Sequence, residues 1–447
     1  MWRHIYSELL DWKNSAEHRP LILDGVRQCG KTYILKELGK EFDECVYLNF
    51  EREHTLNALF ETDLDPERII RDIELLKSVK IEPGSTLLIL DEIQDCGNAI
   101  TSLKYFCEEI PKLHVACAGS LLGVMKSSTS YPVGKVCHME LYPMSFIEFI
   151  VAEGKDRLAE FITLGADGIR EPFHSELLRL LRDYCIVGGM PKVVDSWTQE
   201  HNILKVDSLQ KELLKDYEND FAKHGGNMIE TLTAIWTSLP SFLSRENRRF
   251  IFKEFKKNGR ASDFRDPVQW LVNAHLVHKV DQIKKHAYPP STEDEDGLYK
   301  LYMCDIGLLR AMAGHPAGIM LTEEDDMYLY KGGMYENLVV CEMKAYGIDR
   351  LFYWRDGKYE VDIIAPVGGR TVPIEVKSGT DFNLKSLNVY LERYDVKISE
   401  VISMRPYQKN EKEYVPFYSI EWMVGRNHDR SNIIEVACYR YKRRFRR

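Results

Sequence analysis

Along the first half of the chain, short unbroken apolar runs alternate with stretches whose apolar residues fall at helical spacing. LILDGVRQCGKTYILKELGKEF predicts a buried strand, a glycine-bearing loop and an amphipathic helix. STLLILDEIQDC predicts a second strand; its run from Leu87 to Leu90 is apolar on both faces, as a central parallel strand requires. KLHVACAGSLLG, from Lys112 to Gly123, predicts a third strand ending in Gly-Ser. Between 205 and 285 the pattern changes to several short helices, with NMIETLTAIWTSLPSF and RASDFRDPVQWLVNAHLVHKV placing apolar residues three and four apart. LYKLYMCDIGLLRAM, KGGMYENLVVCEMKAYG and LFYWRDGKYEVDII return to mixed α/β character. In EVDIIAPVGGRTVPIEVKSG, two strands are expected to flank a turn at VGGR.

The pattern implies an α/β protein of several domains, since 447 residues exceed what one core supports. The expected boundaries are an α/β sheet domain over 1–200, a helical, winged-helix-like module over 201–294, a second α/β domain over 295–425 and a basic tail over 426–447. A composition of 44% hydrophobic and 29% charged residues is ordinary for a soluble globular chain. The net charge of −9 leaves any nucleic-acid contact to local patches. No apolar run approaches the roughly 20 residues of a membrane span, and the charged N-terminus lacks the apolar core of a signal peptide, so a cytoplasmic location away from membranes is expected. The ten cysteines are scattered without a CxxC pair or a zinc spacing, which predicts reduced, buried thiols.

Chemistry enters at GVRQCGKT, which fits G-x-x-x-x-G-K-[ST] between a predicted strand and a predicted helix. Gly25 and Gly30 let the backbone wrap phosphates at the positive end of the helix. Lys31 is expected to reach the β/γ-phosphates of ATP, and the Thr32 hydroxyl to bind Mg2+. Arg27, Gln28, Cys29 and Tyr33 complete the expected nucleotide-binding set. Asp91 emerges from its strand to share the magnesium, and Glu92 is placed to orient or deprotonate the attacking water. Ser120, at the tip of the third strand, is the candidate γ-phosphate sensor. Cys29, beside a helix N-terminus, is expected to be a reactive thiol whose alkylation blocks ATP binding.

DGVRQCGKT, LLILDEIQ, ACAGSLLG, VGKVCHMELYPMSFIEFI and YCIVGGMPKVV together resemble a large prokaryotic family of AAA-type ATPases with a conserved C-terminal region of unassigned function. The motifs occur in the family's order across most of residues 18–195. The resemblance resumes over the C-terminal α/β stretch, to about Met423. The chain departs from the family at Gly134-Lys135, where members commonly carry Gly-Arg. If that arginine acts on a neighbouring subunit's nucleotide in a homo-oligomer, Lys135 is a weaker, non-forked substitute.

In the middle module, Arg248, Arg249, Lys253, Lys256 and Lys257 of the basic segment SRENRRFIFKEFKKNGR could contact phosphates, or could form a solvated helix face. The acidic hairpin around YPPSTEDEDG would repel DNA at the usual wing position. Toward the end, Glu375 and Lys377 share one strand face by alternation, and Asp362, taken to end the preceding strand, is expected beside Glu375. Glu336, on an upstream helix, could join them. Two or three carboxylates could hold a second Mg2+ or Mn2+ ion, and Lys377 could serve an attacking water. This D…ExK pattern resembles the restriction-endonuclease-like fold, in particular its Holliday-junction resolvase branch. The resemblance implies action on branched or linear DNA, in repair or defence. An ATP-gated switch that binds a protein partner, or branched DNA, without cutting is the alternative. The basic terminus YRYKRRFRR reads as a flexible tail or as a nonspecific contact to nucleic acid.

Overall fold

A computed structural model describes residues 1–120, 131–245, 248–255, 259–292, 298–315, 328–379 and 383–425. The chain divides into two units, one of residues 3–142 with 273–275, the other of the remainder. The unit around the first sheet therefore closes at Tyr142, where an end near residue 200 was expected. The second expected boundary, at 294/295, falls inside a strand pair. Lys256, Lys257, the acidic hairpin tip and the basic tail lie outside the described residues.

The smaller unit is a five-stranded sheet of β1 (Leu21–Asp24), β2 (Glu44–Asn49), β3 (Thr86–Asp91), β4 (His114–Ala118) and β5 (Cys137–Glu140). Its order is β2-β3-β4-β1-β5, and every pairing is parallel. All positions of β1, β3 and β4 are buried, which matches their unbroken apolar runs. Alternate residues Ile22, Val46, Leu48, Leu88, Leu90, Val115 and Cys117 build one core with Ile69 and Ile73 of the helix Pro66–Lys77 and with Leu103 and Phe106 of the helix Gly97–Glu109. Each such side chain contributes about 1.5–3 kcal/mol by leaving water. Parallel strands share one carboxyl end, so β1, β3 and β4 deliver the phosphate loop, Asp91 and Ser120 to the same edge.

The larger unit carries an eight-stranded sheet in the order β12-β13-β11-β10-β9-β8-β6-β7. Its strands are β6 (Val277–Ile283), β7 (Tyr299–Met303), β8 (Phe352–Asp356), β9 (Tyr359–Val367), β10 (Arg370–Lys377), β11 (Glu400–Ser403), β12 (Gln408–Lys409) and β13 (Glu413–Pro416). β6 and β7 pair antiparallel, and β6 pairs parallel with β8. The hairpin expected as a wing is thus part of this sheet, because its β6 side buries apolar residues against β8. β9 and β10 form the expected hairpin, joined by Gly368 and Gly369, both at positive φ (56° and 74°), a two-residue turn suited to the strand twist. Asp362 lies early in β9, which runs five residues beyond it. The helix Lys385–Tyr394 covers one sheet face, with Leu387 and Tyr390 packed against Trp354, Val361 and Val401. The helix Tyr328–Ala345 packs on β7 and β10. Its Asn337 clamps the edge strand, accepting from the Met303 N–H at 2.7 Å and donating to the Met303 carbonyl at 3.0 Å.

Candidate functional site

The phosphate loop begins at Gly25 (φ 145°), whose missing side chain is a steric requirement: a Cβ would stand 2.2 Å from the Leu141 carbonyl oxygen. Gln28 (φ 66°) and Gly30 (φ 100°) take left-handed conformations that turn the chain into the helix Lys31–Gly39. Asp24 accepts from the Gly25 N–H at 2.9 Å and meets His275 Nε2 at 3.3 Å. Burial opposes its charge, but the His275 contact outweighs it and holds Asp24 below its ordinary value. Arg3 fixes the other limb, donating to the Cys29 carbonyl at 2.8 Å.

Lys31 is buried and donates to the Gly25 and Val26 carbonyls at 2.7 and 2.9 Å. It therefore already lies inside the loop it is expected to serve. The Thr32 hydroxyl donates to Asp91 Oδ2 at 2.9 Å, joining the phosphate loop to β3. Two residues that the sequence did not single out converge on the same oxygen: Tyr47 OH at 2.6 Å and Asn49 Nδ2 at 3.2 Å. Burial, followed by the bond to Asp91, pushes the Tyr47 phenol up to about 12, and Lys36 Nζ sits 3.8 Å above its ring. Glu92, at φ 51°, accepts from Gln94 Nε2 at 2.6 Å; burial raises its carboxyl against the pull of Gln94 and Lys31. Ser120 is buried just past the end of β4. Arg27 pairs loosely with Glu51 at 3.8 Å, and Tyr33 is exposed. Lys135 pairs with Glu108 of its own chain at 3.0 Å.

Cys29 departs from expectation. It is fully buried, and its sulfur lies only 3.3 Å from where a Cβ on Gly25 would stand. An alkylating reagent has no route to it while the loop is folded. The remaining donors fit a magnesium nucleotide: a glycine cradle, a lysine that can turn from carbonyls to phosphate, and the Thr32–Asp91 pair of hard oxygens.

In the larger unit the sequence-predicted residues also come together. Asp362 Oδ2 accepts from the Val376 N–H at 2.8 Å, and Lys377 Nζ meets Glu375 Oε1 at 2.7 Å. Glu336 is engaged from two sides. Arg248 Nη1 pairs with Oε1, while Oε2 accepts from Tyr302 OH at 2.9 Å and faces Lys300 Nζ at 3.5 Å. Lys300, with no solvent exposure, also pairs with Glu360 at 2.7 Å. Burial disfavours charge on Glu336, but Arg248 and Lys300 outweigh it and hold its carboxyl low; burial, with Glu375 and Glu336 nearby, raises Asp362 well above its usual range. Among the described residues, no group of three or more histidine, cysteine or acidic side chains is arranged to hold a metal ion. The expected trio Glu336, Asp362 and Glu375 is thus gathered without forming a ready cation site, because both oxygens of Glu336 already have partners. Arg248 is likewise no solvated phosphate contact: it is turned inward. Arg249 donates to Gln282 at 2.6 Å.

Residues 17–150 match the family described as AAA domain. Residues 178–318 and 331–420 match two domains of unknown function, DUF8612 and DUF4143. No curated protein matches the chain. Among solved structures, it is similar to the Walker-type ATPase PABY2304 of Pyrococcus abyssi, at 13% identity over 69% of this chain and 94% of that one, with a TM-score of 0.40. It is also similar to a RuvB variant from Thermotoga maritima, at 13% identity over 61% and 88% of the two chains, with a TM-score of 0.28. The parallel sheet, the phosphate loop between β1 and its helix, and the family match agree: the N-terminal part of this chain is an AAA-type P-loop ATPase domain.

Proposed function

We propose that the protein hydrolyses ATP with Mg2+ and uses the cycle to control its C-terminal carboxylate–lysine cluster, which acts on DNA. The observation that supports the ATPase reading is the Thr32–Asp91 contact, a hydroxyl and a carboxylate joined beside the phosphate loop. The loop N–H groups and Lys31 would hold the phosphates once Lys31 leaves the Gly25 and Val26 carbonyls. Bound there, Mg2+ supplies charge neutralisation for the phosphate oxygens. Glu92 would take the proton of the attacking water, and Ser120 would report the γ-phosphate from the neighbouring strand.

Lys31→Ala should abolish nucleotide binding, measured with a fluorescent ATP analogue. Glu92→Gln should bind nucleotide normally and lose hydrolysis by about 10²–10⁴-fold, the range for a general base. Equal turnover in wild type and Glu92→Gln would remove Glu92 from the chemistry.

For the cluster, the element order helix–β8–β9–β10–helix–β11 and the meeting of Glu336, Asp362, Glu375 and Lys377 support a restriction-endonuclease-like reading, with metal held by the acids and water served by Lys377. The inward Arg248 favours a second reading, an ATP-gated switch that binds branched DNA or a protein without cutting. Cleavage of branched and linear DNA with Mg2+ or Mn2+, with and without ATP, separates the two. If the first holds, Asp362→Ala and Glu375→Ala lose cleavage together with metal binding, while Lys377→Ala loses cleavage alone.

A further inference from the structure

Arg248 reaches the acidic cluster from the segment that follows the helix Ile229–Leu243, and it is held there by more than charge. Its Nε donates to the Leu243 carbonyl at 3.2 Å, and its guanidinium meets Glu336 with both side chains almost wholly buried. Two residues on, Phe250 anchors the strand-like segment, its N–H donating to the Tyr299 carbonyl at 3.0 Å and its ring stacked on Tyr299 and Phe255. The helix opposite is shaped for this arrangement. A Cβ on Gly332 would lie 2.8 Å from Arg248 Nη2, so glycine leaves the space that the guanidinium fills.

The pocket is incompletely satisfied by these partners. Glu336 has both oxygens engaged, and Glu375 has Oε1 on Lys377, but Glu375 Oε2 is buried without a hydrogen-bond partner. A divalent cation needs several carboxylate oxygens turned toward one point. Glu336 cannot turn while Arg248 and Tyr302 hold it, and a tethered guanidinium competes at high effective concentration.

We propose that Arg248 is a built-in cation that occupies the carboxylate pocket in place of a divalent metal, so that metal enters only when Arg248 withdraws. This rests on the metal-binding reading of the cluster given under Proposed function. The contact is autoinhibitory: one arginine, seated by one glycine, keeps Glu336 from completing the site.

The test uses full-length protein without nucleotide, titrated with Mn2+ by calorimetry. Glu375→Ala, alone and combined with each variant, identifies the heat that belongs to this cluster. Arg248→Met removes the guanidinium. Gly332→Ala keeps every charge and favours the helix, but places a methyl group 2.8 Å from Nη2, close enough to push the guanidinium aside, so it remains informative should Arg248→Met fail to fold. The Glu375-dependent affinity is expected to be at least about tenfold tighter in Gly332→Ala and Arg248→Met than in wild type. Equal Glu375-dependent affinity in wild type and the folded variants would overturn the inference while leaving the metal reading intact. Absence of Glu375-dependent heat in every folded protein would overturn the metal reading, and the inference with it.

Discussion

One carboxylate, Asp91, gathers side chains beside the phosphate loop. Thr32, Tyr47 and Asn49 all donate to it, so its orientation is fixed by two side chains of the neighbouring strand β2 and one from the phosphate loop. Tyr47→Phe removes one of these bonds, worth about 1 kcal/mol. The Mg2+ concentration giving half-maximal ATP hydrolysis should then rise roughly fivefold, with kcat little changed. A fall in kcat without that shift would mean that Tyr47 serves some other step. The place of Asp91 was legible in the sequence because the acid closes a wholly apolar run, which is the buried strand β3. Tyr47 and Asn49 were not, since VYLNF reads as an ordinary edge strand whose polar positions face water. Only the pairing of β2 on β3, which sets Asn49 directly opposite Asp91, turns them toward the site. Cys29 was misread because its place in the chain says nothing about which way the loop points its sulfur.

At the level of elements, the paired glycines in KGGMYEN do two different jobs. Gly332 makes room for Arg248, whereas Gly333 lies against backbone: a Cβ there would stand 1.9 Å from the Leu243 carbonyl oxygen. Backbone yields far less readily than a side-chain tip. Gly333→Ala should therefore cost about 1–3 kcal/mol or more by overpacking the two helices. Gly332→Ala should cost less than Gly333→Ala, because the atom it crowds is the tip of a flexible side chain and alanine has the better helix propensity. Thermal melts of the two variants, side by side, check the difference. The β9–β10 hairpin was visible in advance because its turn and alternation are local. The place of β6 and β7 was not. Their sheet is completed by a parallel pairing with β8, contributed by a stretch far along the chain, and no local pattern reports a partner so distant. Arg248 misled for a related reason: an arginine in a basic run looks solvated until a buried glutamate on another helix is found beside it.

On the scale of the whole molecule, no described helix is long and apolar enough to cross a membrane. The larger unit buries acids that lie outside the proposed chemistry. Glu342 accepts from the Phe146 N–H at 3.0 Å and from Tyr184 OH at 3.2 Å; burial pushes it up to about 8. Glu421 is raised to about 8 by burial and by Glu342. An acid whose folded value lies above its unfolded one keeps its proton in the folded state while the unfolded chain loses it. That contribution to stability is complete below the unfolded value and is lost as pH rises from about 4.5 through about 8. Melting temperatures measured between pH 5 and pH 9 should decline over this interval, and Glu342→Gln should flatten the decline. An unchanged slope in that variant would assign the effect elsewhere.

The smaller unit is not one continuous piece of chain. Residues 273–275 return to it after a long absence, and His275 then stands against Asp24 at the root of the phosphate loop. The covalent chain thus supplies this imidazole as a tethered ligand, present at an effective concentration in the millimolar range or above without any binding step. A fragment ending at Tyr142 would hold the glycine cradle, Lys31 and Asp91, yet its Asp24 would have lost a partner that no amount of refolding could restore. The phosphate loop is consequently not a transferable cassette. It is finished by a segment that the ribosome makes only after most of the helical region has been synthesised.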